Sequence, residues 1–143
     1  MSNWTHVAGI VRIDSIRFMM DTPDFDGIFG RECTYGSSED EWNDFINMDY
    51  SNGYFLPFGS EGTLHKEVWV NPYGSEIAAY TVSIFGDLRD HDNPLEIINW
   101  FKECINTINN SDNAIWVRNA VITAKNECNG TETWVFIDED EGE

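Results

Sequence analysis

Asp87, Arg89, Asp90, His91 and Asp92 fall within six consecutive positions, immediately before an apolar run. Three carboxylates and an imidazole so close together offer hard oxygen and nitrogen ligands for a divalent cation, and a metal-assisted hydrolase is one chemistry they suit. A structural role accounts for more of the stretch. Asn93, Pro94 and Glu96 read as N-cap, N1 proline and N3 acid of a helix, whose positive N-terminal end favours the preceding Asp90 and Asp92. No second ligand group at a recognised spacing joins the cluster, so capping is the preferred reading and neither metal nor cofactor is expected.

The other candidates are weaker. Asp24, Asp26 and Gly27 match the third, fifth and sixth positions of a calcium loop, but Thr22 and Cys33 occupy its first and twelfth, so an Asp/Gly turn is expected instead. Phe58-Gly59-Ser60-Glu61-Gly62 lacks the Lys-Ser/Thr ending of a phosphate cradle and leads towards a strand rather than a helix. His6, His65 and His91 sit in no catalytic frame, and His6, on an alternating strand, reads as exposed or interfacial. These features favour a protein that is not an enzyme.

Charge is the most distinctive property. Eight Lys and Arg face 26 Asp and Glu, a formal net of −18 at pH 7. Such a field repels nucleic acid and anionic membrane and attracts cationic surfaces. Between Arg31 and Lys66 there are seven carboxylates and no Lys or Arg, and seven more carboxylates follow Lys125. Within these acidic stretches, Glu39, Asp40, Glu41 and Asp44, with Asp138, Glu139, Asp140 and Glu141, form the expected partner-binding set. The leading expectation is an inhibitor of a nucleic-acid-handling protein, occupying that protein's basic groove in place of the phosphate backbone. In size and charge the chain resembles small phage anti-defence proteins and bacterial immunity proteins. A second expectation is a binder or sponge for an anionic small molecule or nucleotide, acting as an oligomer, with Arg12, Arg89 and Arg118 as grips. Acidity that serves only solubility is the plain alternative to the first, and the metal-assisted hydrolase centred on Asp87, Asp90, His91 and Asp92 ranks last.

Hydrophobic residues make up 41% of the chain and aromatic residues 14%, enough for a folded core. No charged leader or apolar span is evident, and Cys33, Cys104 and Cys128 form neither a disulfide framework nor a zinc motif. A cytoplasmic protein with reduced thiols is expected.

The elements that must hold these residues can be read from periodicity. Residues 7–13 alternate as a strand, with a bulge expected near Asp14 and Ser15. A Pro- and Gly-rich loop follows, and Ser38 with Glu41 forms a capping box for a short acidic helix over 38–46. Residues 49–63 read as an ordered aromatic loop. Leu64–Val70 and Ala78–Phe85 form a hairpin. Leu95, Ile98, Phe101, Ile105 and Ile108 mark a second helix, and Asn129-Gly130 joins two last strands.

That order, β-α-β-β-α-β with one added C-terminal hairpin strand, predicts an α+β fold on the ferredoxin-like split βαβ plan, an antiparallel sheet with two helices on one face. Residues 1–137 are read as one domain and 138–143 as an acidic tail. Trp69, Trp116, Trp134 and Phe136 lie on strands whose opposite faces are also apolar. The face away from the helices therefore needs a cover, supplied by the 49–63 loop, a second copy of the chain or a partner.

Overall fold

A computed structural model of the chain describes residues 2–16, 22–32, 55–71, 77–111 and 114–138. These form an α+β arrangement of five strands in one antiparallel sheet, with two helices. The strands are β1 (Trp4–Ile16), β2 (His65–Asn71), β3 (Ile77–Arg89), β4 (Ile115–Asn126) and β5 (Gly130–Ile137), and they lie side by side in the order β2-β3-β1-β4-β5. The first strand in sequence is thus the central one. It pairs with β3 from Trp4 opposite Arg89 to Ile16 opposite Ile77, and with β4 from Thr5 opposite Asn126 to Ser15 opposite Ile115.

Alternation decides the faces. Val7, Val11 and Ile13 of β1, Tyr80, Val82 and Ile84 of β3, and Ile122 and Ala124 of β4 are buried on one side. The helix α2 (Pro94–Asn109) covers this face with Ile97, Ile98, Phe101, Cys104, Ile105 and Ile108, a stripe at steps of one, three and four residues. Phe101 meets Trp134 of β5 edge to face, ring centroids 5.9 Å apart. Leu95, which shares the same rough period, instead points outward and is exposed. What Leu95 contributes to the structure is its N–H, which donates to Asn93 Oδ1 at 3.1 Å and closes the N-cap ahead of Pro94.

The stretch expected as a loop before residue 30 contains a single helical turn, α1 (Phe25–Phe29). Asp24 caps it by accepting from the Gly27 N–H at 3.1 Å, so the calcium-like aspartate serves as a helix cap. Phe25 and Phe29 bury on the helix-covered face, where Phe25 meets the Tyr80 ring at 5.3 Å. Five residues are too few to leave a 3.6-residue period in a sequence, so the turn chemistry masks them. The capping-box helix over 38–46 lies outside the described residues.

The bulge also falls elsewhere than expected. Arg12 pairs with Asn119 and Ile13 with Val117, so Arg118 is the extra residue and the irregularity belongs to β4, not to Asp14 and Ser15. The N–H of Val117 donates to Asn109 Oδ1 at 2.9 Å, tying the end of α2 to the bulge.

At the other hairpin, Asn126 pairs with Gly130 across a three-residue turn, and Gly130 takes φ +96°, a conformation glycine adopts without a Cβ penalty. Asn126 Oδ1 accepts from the N–H groups of Cys128 and Asn129 at 2.9 and 2.8 Å.

The face turned away from α2 has no layer over its middle among the described residues. Ile10, Phe85 and Val121 at its centre, Trp69 on β2, and Val135 and Ile137 on β5 are all exposed, Trp69 by 60% and Ile137 by 67%. Of the aromatics singled out from the sequence, Trp134 and Phe136 belong to the covered face. Phe55 and Leu56, from the end of the expected aromatic loop, are buried.

Candidate functional site

The two ends of the sheet differ in what they do with charge. At one end β1 begins while β3 and β4 finish, so Trp4, Arg89 and Asn126 come level. His6 lies on the open face there, opposite Asp87 of β3 and beside Glu127, which follows β4. Its Nδ1 is 2.6 Å from Asp87 Oδ1 and its Nε2 is 3.3 Å from Glu127 Oε2. Carboxylates only accept, so both contacts are satisfied together when the ring carries both protons. The hydrogen bond to Asp87, followed by that to Glu127, raises the His6 pKa above its ordinary 6.5. Glu127 moves the other way, because the Trp4 N–H, donating at 3.1 Å, and then His6 hold its carboxyl below the usual range.

The glycine turn of residues 59–62 docks against the same end. Ser60 N–H donates to the Arg89 carbonyl at 2.9 Å, and Arg89 N–H returns the bond to the Glu61 carbonyl at 3.0 Å. Gly62, at φ +84°, passes so close to β3 that a Cβ would strike the Asp87 carbonyl oxygen. This docking puts the Glu61 carboxylate 2.7 Å from the Arg89 guanidinium, and Ser60 Oγ 2.9 Å from Asp90 Oδ2. The turn expected from FGSEG is therefore present, and its acid joins the cluster of Asp87, Arg89 and Asp90.

The lead into α2 completes the end. Thr5 Oγ1 donates to the buried His91 carbonyl, and Asn126 Nδ2 reaches both Thr5 Oγ1 at 2.9 Å and that carbonyl at 3.2 Å. Asn129 Nδ2 donates to the Asp92 carbonyl at 2.8 Å, and His91 Nε2 lies 3.5 Å from Glu96 Oε2. These bonds fix Glu61, Asp87, Asp90, Asp92, Glu96 and Glu127 around one rim, and all six residues are exposed. Arg89, His6 and His91 are the basic groups bonded among them. Among the described residues, no three His, Cys, Asp or Glu side chains converge as a metal site. The rim's chemistry is that of a negatively charged surface with a hydrogen-bonded frame.

At the opposite end a single carboxylate among the described residues is enclosed. Asp14, with 6% of its side chain exposed, receives Arg12 Nε at 3.2 Å on one oxygen and an Arg118 guanidinium nitrogen at 3.3 Å on the other. The bulge is what allows the second contact, since it adds Arg118 to β4 where Asp14 passes.

The expected site residues are distributed accordingly. Glu39, Asp40, Glu41, Asp44, Glu139, Asp140 and Glu141 lie outside the described residues. Asp138 donates its N–H to the Arg118 carbonyl at 3.0 Å and so stands at the Asp14 end, away from the rim. Arg12 and Arg118 are brought together, on Asp14. Arg89 is eight residues further along β3 from the residue opposite Arg12, a separation of about 27 Å, so the three arginines do not form one grip. Asp87, Asp90 and Asp92 do share one end, as their spacing implies. His6 and Glu127 join them only through strand pairing over long separations, and Glu61 through the docking of its turn, for which the sequence carries no local signal.

Burial pushes the Cys104 thiol up to about 12, whereas Cys128 is exposed on the β4–β5 turn. No helix among the described residues is long and apolar enough to cross a membrane. No family model matches the chain, and comparison with curated proteins and with solved structures finds no match either.

Proposed function

We propose that the chain is a non-catalytic acidic binding protein that inhibits a nucleic-acid-handling protein by occupying its basic surface. The observation that carries this reading is the rim. Four separate segments contribute exposed carboxylates to one end of a rigid sheet: the 59–62 turn, the end of β3, the lead and first turn of α2, and the turn after β4. Carboxylates carried on one hydrogen-bonded frame present their charge to a basic groove from set backbone positions, as a phosphate backbone does. We read the architecture as the split βαβ plan of ferredoxin-like domains. The support is that β3 lies between β1 and β2 and β1 lies between β3 and β4, with β5 as one strand beyond that plan.

The test starts from a pull-down with the wild-type chain, followed by titration of the captured partner. Reversing Glu61, Asp87, Asp92 and Glu96 to Lys is expected to weaken binding at least 100-fold, duplex DNA is expected to compete, and affinity is expected to fall as salt rises. Affinity indifferent to salt, or unmoved by the four reversals, refutes the proposal.

A further inference from the structure

The open face of the sheet stands apart from the rest of this molecule in both polarity and charge. Ile10, Phe85, Val121 and Val135 form its exposed apolar middle, and Trp69 and Ile137 continue it onto both outer strands. Among the described residues of this face and its margin, the carboxylates Asp14, Glu67, Asp87 and Glu127 are matched in number by Arg12, Arg89, Arg118 and Lys125. In a chain of net −18, that makes it a locally balanced surface. We propose that this face is the interface of a homodimer, formed by two copies packing sheet on sheet.

Charge selects the occupant. Nucleic acid and anionic membrane are repelled by the chain as a whole, and a basic partner is drawn to the acidic rim instead. A second copy is repelled at the rim but meets little like charge across the open face, where apolar side chains can interdigitate as in a sandwich. The area is of the right order. Five strands about 4.8 Å apart and four rows about 6.8 Å apart span roughly 650 Å² in plan, and a side-chain surface exceeds its plan. A stable interface takes about 800 Å² from each partner. Antiparallel sheets tolerate a solvated face when it is polar, and this one is apolar at its centre.

Sedimentation velocity and native mass spectrometry of the full chain between about 1 and 100 μM test the proposal. The expected result is a species of twice the chain mass. Replacing Ile10→Lys with Val121→Lys should raise the dimer dissociation constant more than 100-fold while the far-UV circular dichroism is unchanged, and Glu103→Lys, exposed on α2, should leave the dimer intact. Should the double variant unfold, Thr133→Lys with Val135→Lys on the edge strand β5 provides the same reading without altering the central strand. Added salt should strengthen the dimer by screening the repulsion between two acidic chains, the reverse of its effect on a basic partner. A wild-type chain that is monomeric throughout the range, a dimer that survives the face substitutions, or a dimer that weakens as salt rises overturns the proposal.

Discussion

The two ends of the sheet use the same kinds of side chain for opposite purposes. At the Asp14 end one carboxylate is almost fully enclosed and two guanidiniums divide its oxygens between them. At the rim six exposed carboxylates surround one arginine and two histidines. Enclosure makes charge pairing a structural matter, because an unmatched ion is costly where water cannot reach it. Exposure leaves the rim's charge available, while the hydrogen bonds that hold the rim run mostly through backbone and amide groups.

The largest expected effect therefore comes from breaking the enclosed pair. Arg12→Ala with Arg118→Ala leaves the enclosed Asp14 carboxylate without either guanidinium and should cost about 3 kcal/mol in urea unfolding. Asp14→Asn, which keeps the shape and one acceptor, should cost clearly less. If both variants unfold with the wild-type midpoint, the contrast between the ends is lost.

At the rim the sensitive position is an amide. Asn126 joins Thr5, the His91 carbonyl and two N–H groups of the β4–β5 turn, and it is buried. Asn126→Ala should cost about 2 kcal/mol, since buried donors and acceptors lose their partners. Reversing the neighbouring exposed Asp92 to Lys should barely change stability. A melting temperature lowered equally by both would mean that the rim's charge, not its amide frame, holds it together.

The smallest effect follows pH. The folded His6 pKa lies above its ordinary value, so its pairing with Asp87 and Glu127 stabilises fully below pH 6.5 and is lost as pH rises through the folded value. Because the His6 side chain is 44% exposed, solvent screening limits the contribution to less than about 1 kcal/mol. Glu127, held low, has the opposite dependence, with its contribution lost as pH falls through its folded value. His6→Gln should flatten the stability profile between pH 6 and 8. An unchanged profile would show that the ring contacts contribute nothing measurable.

These sites indicate where a sequence is readable. The Asn93-Pro94 start of α2 and the Asn-Gly signal before β5 are local devices, each satisfied within a few residues of itself, and both are found where their chemistry puts them. Leu95 follows the helical period closely enough to be mistaken for core, and only the direction from which the sheet approaches separates it from Ile97. A parity change in β1 suggests a bulge in that strand, but β1 pairs with β3 without a shift from Trp4 to Ile16, and the extra residue is Arg118 of β4, where burial changes parity between Val117 and Ala120. Half the rim is visible in the sequence as Asp87 to Asp92. Glu96 follows four residues on, whereas Glu61 depends on a turn docking from 28 residues away and Glu127 on which strands flank β1, a matter of packing across more than a hundred residues.

The central place of β1 also sets an order of events. Its neighbours come late in the chain, with Trp4 level with Arg89 on one side and Thr5 level with Asn126 on the other. The β2–β3 and β4–β5 pairs close short loops, whereas β1 must wait for partners separated from it by most of the polypeptide. During synthesis β1 is made long before either of its neighbours, leaving Val7, Val11 and Ile13 exposed at least until β3 emerges. Pulse-labelled hydrogen exchange during refolding should find the two hairpins protected before β1. The strand at the centre of the finished sheet is thus the one that waits longest for its first neighbour.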